Sequence, residues 1–502
     1  MSRKRIILFA LAAMSCCSLS AQRRPFDALP DANPWLAGTN YAGVRADTSS
    51  NISYAEIYAG AEAGEFRRSC EASSLWRAGA EARTIKHVER FSMAGGFSFS
   101  QMTGRDMCGS MSIRPGYYPI DVLEFTPGRK TLQTYAFDGG VGVDLAPRLR
   151  VGAGMDFTSA NYSKRKDLRH TNYLLDMTVS AGVTYALGDV LLGANYLFRK
   201  DSESIDAEQI GTGESSYCAF LDKGLYYGKY EVWTGSGVHL DEAGVQGLPI
   251  KETLHGAGVQ LSRGGSHIEA EYLFGGGSAG EKQTVWYRFP TREVNVRLSQ
   301  ALSPAGKNVY LRASWSHRTQ SNFETVLDKV TEGGVTLTQE YGSNLIFQRA
   351  TDAAALEMKV VRPTFEYVAS AGFDALRAVS SQMYPYIAEE RVRSLSLGFS
   401  PTFHTKGFDF GLDAFAAFGS LSDSERVVTE DSGVVDSPYR LQEYYDLWAA
   451  YETAPRVGIS PFARLHFGKG LYIQAEGSFV RSFSEALPGY RERACLRLGL
   501  DF

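Results

Sequence analysis

The feature that most constrains this chain is strict alternation of apolar and polar side chains over segments of about ten to thirteen residues. A period of two is what a β-strand with one oily face and one wet face requires. In residues 134–145, Tyr135, Phe137, Val141, Val143 and Leu145 fall on one side. Thr134, Ala136, Asp138, Gly140, Gly142 and Asp144 fall on the other. After Ala146-Pro147-Arg148 the pattern restarts, with Leu149, Val151, Ala153, Met155 and Phe157 set against Arg150, Gly152, Gly154 and Asp156. The same strand–turn–strand unit recurs at 175–198, 257–274, 294–315, 395–418 and 457–479.

Longer polar connections separate these hairpins, at 104–130, 201–250, 320–343, 375–390 and 419–455. Short turns alternating with long connections are the mark of a transmembrane barrel, with turns in the periplasm and loops outside. The segments are also long enough to cross a bilayer when tilted, which takes about 9–11 residues. Soluble sandwiches and propellers use strands of about 5–6 residues, and no blade or rung repeat is visible here. Starting with an upward strand near 51–66 and giving each short turn to the periplasm yields 18 strands, the last ending at Phe502. A slip of one hairpin makes the range 16–18. The expected fold is all-β: a transmembrane antiparallel β-barrel of about 16–18 strands over residues 51–502.

The first residues set the expected compartment. Arg3, Lys4 and Arg5 precede the apolar run 6–14, and a small-residue stretch then leads to Ala21, followed by polar Gln22-Arg23-Arg24-Pro25. This is the layout of a secretory signal peptide over residues 1–21, cut between Ala21 and Gln22. Cys16 and Cys17 raise a lipoprotein alternative, but Ala13-Met14-Ser15 matches a lipobox poorly. No later stretch approaches 18 consecutive apolar residues, so no transmembrane helix is expected. A net charge of −4 argues against a nucleic-acid partner.

The closing segment places Ala494, Leu496, Leu498, Leu500 and Phe502 on one face. A final strand of this kind, with Leu498, Leu500 and Phe502 at its end, resembles the assembly signal read by the outer-membrane insertion machinery. Residues 33–44, Asn-Pro-Trp-Leu-Ala-Gly-Thr-Asn-Tyr-Ala-Gly-Val, look like the Asn-Pro-Ala-Gly-Leu segment of many Bacteroidota barrels, with Tyr41 in place of the proline. With the Ser-Leu-Ser-Ala-Gln cleavage region, the chain resembles an uncharacterised outer-membrane barrel family of Bacteroidota. It has a weaker likeness to barrels of the long-chain fatty-acid transporter type. That likeness implies that residues 22–50 are either a periplasmic segment or a plug of the lumen.

The wet face should line the lumen, and Asp138, Asp144, Asp156, Asp176, Glu269 and Glu271 fall on it. An open acidic lining would favour cations; the alternative is that acids and bases pair across strands. Cys70 and Cys108 fall in the first two extracellular connections, where the oxidising envelope permits a disulfide between them. Lys164-Arg165-Lys166, with Arg169 and His170, tops the next hairpin and faces lipopolysaccharide phosphates or solvent. The eight histidines lack metal-ligand spacing and no nucleophile elbow occurs, so neither an enzyme nor a cofactor or metal is expected. The expected role is passive passage of small or hydrophobic solutes across the outer membrane. The rival is an occluded structural or interaction barrel, acting through its loops or in an envelope complex.

Overall fold

Strands whose side chains alternate in character bury nothing as single sheets; they satisfy both faces only by curling the wet face inward. In the structure, a computed structural model, they do so as one closed antiparallel barrel. Described are residues 26, 29, 31, 33–46, 51–208, 217–233, 248–281, 284–302, 309–333, 335–382, 385–424 and 441–502. The wall begins with β1 (Ile52–Gly64), β2 (Ser74–Val88), β3 (Phe91–Ser110), β4 (Asp121–Ala146), β5 (Leu149–Lys164), β6 (Arg169–Leu187) and β7 (Val190–Glu208). A hairpin outside the wall follows, β8 (Tyr217–Asp222) and β9 (Gly228–Trp233). The wall resumes with β10 (Leu248–Arg263), β11 (Ser266–Glu281), β12 (Thr284–Ala301), β13 (Val309–Glu332), β14 (Val335–Val361) and β15 (Phe365–Ser380). It ends with β16 (Ala388–Thr405), β17 (Phe408–Asp423), β18 (Arg456–His466), β19 (Leu471–Phe483) and β20 (Pro488–Asp501).

The sheet has 20 strands, and setting β8 and β9 aside leaves the 18 of the wall, the upper end of the expected range. β7 pairs with β10, so the β8–β9 hairpin is an excursion. β20 pairs with β1 from Tyr54↔Asp501 to Gly64↔Arg491. Ser53 and Phe502 exchange both backbone hydrogen bonds, at 2.7 and 2.8 Å. Leu498, Leu500 and Phe502 all point outward and are exposed. Closure leaves no strand edge, the condition for placing a sheet in lipid.

Outside, the wall carries a continuous apolar belt: Phe97, Phe137, Tyr196, Phe274, Leu397, Phe418 and Leu496 are each at least 45% exposed. An apolar surface encircling a whole molecule needs an apolar surrounding.

Two of the expected long loops are largely strand. β3 and β4 continue through most of 104–130, and β13 and β14 run on as a ribbon to a turn at Gly333, where φ is +60°. Beyond the belt both faces of a strand meet water, so the apolar contrast disappears. Residues such as Thr325, Val326, Val330 and Thr338 still favour extended backbone. The connection 419–455 instead contains a helix, α1 (Leu441–Thr453).

Phe137 lies midway along the belt-crossing part of β4. Phe137→Arg should destabilise the lipid-embedded barrel by about 2–4 kcal/mol, measured by denaturant unfolding in phospholipid vesicles; an unchanged midpoint would mean the belt does not face lipid.

Candidate functional site inside the barrel

The N-terminal segment lies inside the barrel at the short-turn end, in two tight 3₁₀ turns at Pro34–Ala37 and Tyr41–Ala46. Asn33 caps the first, its side chain accepting from the Trp35 amide at 3.2 Å. Three polar side chains fasten the segment to the wall. Asn40 donates to the Val183 carbonyl at 3.2 Å and to Gln260 at 2.9 Å. Thr39 donates to Glu271 at 2.5 Å and accepts from Asn195 at 3.0 Å. Arg45 donates to Asp144 at 2.7 Å, to Ser92 at 3.1 Å and to the Glu89 carbonyl at 2.7 Å. Further up, Asp31 pairs with Arg312 and, at 3.0 Å, with Lys359.

Glycines on the inward face make this seat. A Cβ at Gly140 or Gly154 would overlap the Tyr41 ring, one at Gly152 the Ala42 backbone, and one at Gly182 the Asn40 side chain. A glycine on the wet side of a strand leaves a hole the width of a side chain, and here the segment fills it. The run of inward glycines in 139–154 was the sequence signal for that seat, one that alternation alone does not read.

The six acids of the wet face do line the lumen, and five of them are engaged in ion pairs. Asp138 pairs with Arg83 at 3.1 Å, and Asp144 with Arg45 at 2.6 Å and Arg150 at 3.3 Å. Asp176 lies 2.8 Å from Arg114 and 3.2 Å from Arg199. Glu269 and Glu271 share Arg297, at 3.3 and 3.2 Å. Asp156 lies beside the Tyr41 hydroxyl. These carboxylates hold the wall and segment together rather than presenting free charge.

At the long-loop end, residues 111–120 turn into the barrel. Met111, Tyr118 and Ile120 are buried among Ile205, Leu248, Ile250, Phe289 and Phe347, the largest apolar cluster of the described residues. Tyr117 anchors this loop, donating to Glu252 at 3.1 Å while the Arg114 and Arg318 guanidinium groups lie 3.9 and 4.3 Å from its ring centre. Burial pushes the Tyr117 phenol up to about 12, so it stays a neutral donor. The hairpin β8–β9 covers the loop by pairing with the start of β4, from Asp121↔Asp222 to Glu124↔Ala219. α1 closes over the hairpin, Tyr445 and Trp448 packing on Tyr226.

Glu124 is held between Lys130 at 3.1 Å and Lys164 at 2.6 Å, all three side chains fully buried. Lys164 and His170 were expected in an exposed basic run. Strand alternation sends both inward, leaving Arg165 outside and turning Lys166 to the Pro127 carbonyl at 3.0 Å.

The disulfide that the envelope would permit between Cys70 and Cys108 is not formed; both are free thiols. Their chains touch, the Cys108 amide donating to the Ser69 carbonyl at 3.1 Å, but the Cys108 sulfur is engaged by the Tyr444 hydroxyl at 3.5 Å. Burial, with Glu71 nearby, pushes the Cys70 thiol up to about 11, which keeps it protonated and unreactive. The cleavage pair Ala21 and Gln22 lies outside the described residues.

The opposite wall is different. Across β13–β16 the inward rows read Ser314, Ala355, Gly372, Ser396 and then Ser316, Ala353, Asp374, Ser394, all partly or fully exposed. Small side chains here leave a water-accessible lane along the middle of this wall, below the loop-end cluster that takes in Phe347 and Ala378. Asp374 and, on β17, Asp413 face this lane with no ion pair among the described residues.

Residues 41–502 match the profile of a family described as of unknown function (DUF6850). No curated protein matches the chain in sequence. Among solved structures, the FrpB iron transporter from Neisseria meningitidis aligns at 8% identity and a TM-score of 0.43, over 92% of this chain and 83% of that one. The outer membrane transporter YddB from Escherichia coli aligns at 8% identity and 0.40, over 91% and 81%. The CymD monoaromatic hydrocarbon channel aligns at 8% and 0.32, over 96% and 94%. At such values these are barrels alongside a barrel, and no more.

Gly154→Leu should fill the Tyr41 seat and expel the segment. Limited proteolysis would then cut within 33–46 about tenfold faster or more while the wall stays intact; an unchanged rate would show that the seat does not hold it. Glu124→Ala should cost about 3–5 kcal/mol, because two buried ammonium groups lose their shared carboxylate, read as a lower denaturation midpoint of the refolded barrel.

Proposed function

The chain belongs to the DUF6850 family, a family of unknown function, and we propose that it is an outer-membrane barrel that passes small polar solutes and is stoppered at rest. The membrane setting is supported by the closed wall and its apolar belt. In that setting the short turns and the N-terminal segment face the periplasm, and α1 with the β8–β9 hairpin faces outward.

One observation carries the reading. The lumen is unevenly filled: residues 33–46 pack the short-turn end, the inturned loop 111–120 reaches across to Phe347 and Ala378 at the long-loop end, and between them the rows across β13–β16 are small and exposed. The two fillings differ in kind. The loop at the outer end adds a large apolar cluster to its polar contacts, among them Arg114 with Asp176 and Tyr117 with Glu252. The N-terminal segment is held mainly by hydrogen bonds and ion pairs to the wall, contacts that water and salt can replace. It is therefore the releasable part, and its departure would widen the lane. The lane's hydroxyls favour polar solutes over hydrophobic ones, and unpaired Asp374 and Asp413 favour cations. No chemistry on the solute is needed for this role.

The packed outer end supports a second reading, a permanently occluded barrel that acts through its loops. Single-channel recording in planar bilayers separates the two. The intact protein should give rare, small openings, and deletion of residues 22–46 should give steady conductance. A deletion variant that is folded yet silent would sink the channel reading and leave the second.

In the open form, Asp374→Asn with Asp413→Asn should lower the cation-to-anion permeability ratio, read from the reversal potential across a salt gradient. An unchanged ratio would mean that ions do not pass along this lane.

A further inference from the structure

We propose that the outer surface of β2–β5, just above the apolar belt, is a binding groove for a phosphate-bearing membrane glycolipid. The inference rests on the membrane setting proposed above and not on the stopper.

Strand register stacks four kinds of side chain in tiers on this face. The lowest is aromatic, Phe99 opposite Tyr135. Next come amides, Gln101, Gln133 and Asn161, aligned across three strands, with Gln133 donating to Gln101 at 3.2 Å. Hydroxyls follow, Thr103, Thr131 and Ser163, with the first two 3.4 Å apart. Arg105, Arg129 and Arg165 stand at the top, all exposed. With Trp76 as one wall, amides, hydroxyls and two of the arginines enclose a groove of about 480 Å³. A recess of about 240 Å³ adjoins it across Trp76, Thr103 and Arg129 and reaches Arg105.

The three arginines stand together with no ion pair among the described residues, whereas Arg45, Arg83, Arg114 and Arg318 of the lumen are each matched to acids. No acid among the described residues pairs with this cluster, so its counter-charge comes from outside. Guanidinium groups suit phosphate, which they grip with paired hydrogen bonds.

The tiers below decide what carries the phosphate. Residues on one strand face advance about 6.6 Å per pair, so at a tilt near 40° the hydroxyl tier stands roughly 10 Å above the aromatic one. Arginine side chains are long enough to reach back down toward it. That span matches a headgroup layer over an acyl layer. Sugar hydroxyls and amide or ester carbonyls would meet the hydroxyl and amide tiers. Acyl chains would continue down exposed Tyr135, Phe97 and Phe137. A free anion would use only the top tier.

The test is native mass spectrometry of the full-length protein from neutral detergent, with a bisphosphorylated acyl-diglucosamine (lipid A) as probe. Its dephosphorylated form and inorganic phosphate serve as the two controls. The wild type should retain the phosphorylated lipid, and R105Q/R129Q/R165Q should retain about a hundredfold less, since each surface arginine contributes to holding an anionic lipid. Equal retention by the triple variant, or of the dephosphorylated lipid, would overturn the proposal. Displacement of the lipid by equimolar phosphate would overturn it too, by making this an ion site. All three arginines are exposed, so the variant should keep its fold, checked by heat-dependent gel migration. Insertion of both proteins into vesicles is scored separately. Failure there counts against the membrane setting, whereas insertion with equal retention counts against the groove alone.

Discussion

Everything in this molecule depends on the pairing of β1 with β20. Until the last strand meets the first, each edge presents a row of amides and carbonyls with no partner, and in lipid each costs several kcal/mol. The register from Tyr54↔Asp501 to Gly64↔Arg491 removes both edges at once. It also fixes which residues face inward, because a one-residue slip would turn the apolar belt into the lumen. The ion pair of Arg497 with Glu56, at 2.6 Å across this seam, is thus a consequence of closure and a check on its register.

A wall of 18 strands encloses more space than its own side chains fill, and this chain fills part of it with two separate pieces of itself. The two fillings use the two ways of satisfying a buried segment. The loop at 111–120 brings apolar side chains and builds a small core within the lumen. The N-terminal segment brings backbone and polar side chains into a seat carved by glycines. Apolar burial is less sensitive to pH than a set of ion pairs and hydrogen bonds, and the loop has more of it. That difference is the basis for proposing that the N-terminal segment, and not the loop, is the filling that can leave.

The wall was legible in the sequence because membrane strands write their two faces as a period of two, and residues 134–157 show it without interruption. The lumen contents were not, for three physical reasons. Alternation says that Asp144 and Glu271 face inward, but not that Arg45 and Thr39 come to meet them, since those contacts span 99 and 232 residues. Beyond the belt the two faces stop differing, so the upper parts of β3, β4, β13 and β14 read as loops. Lys164 looked like part of an exposed basic run because its partner, Glu124, lies 40 residues away. The likeness of residues 33–44 to other barrels left open a periplasmic segment or a lumen plug, while the glycines that seat residues 41–42 read only as strand texture.

Charge is sorted by location, and the sorting is informative where pairing alone is not. A carboxylate or guanidinium in the lumen faces other protein groups at low dielectric, where an unpaired charge is costly, so acids and bases there occur in matched sets. On the outer wall above the belt an unpaired charge costs little in water and gains from an ionic headgroup. Arg45, Arg83, Arg114 and Arg297 are paired on the inside, while Arg105, Arg129 and Arg165 stand without acids on the outside. The same logic applies to Asp374 and Asp413, which have no ion pair among the described residues and face the small, exposed rows of the lumen. At these two places the unpaired charges line a space that a group from outside the protein can enter, and there such a group is expected to supply the partner.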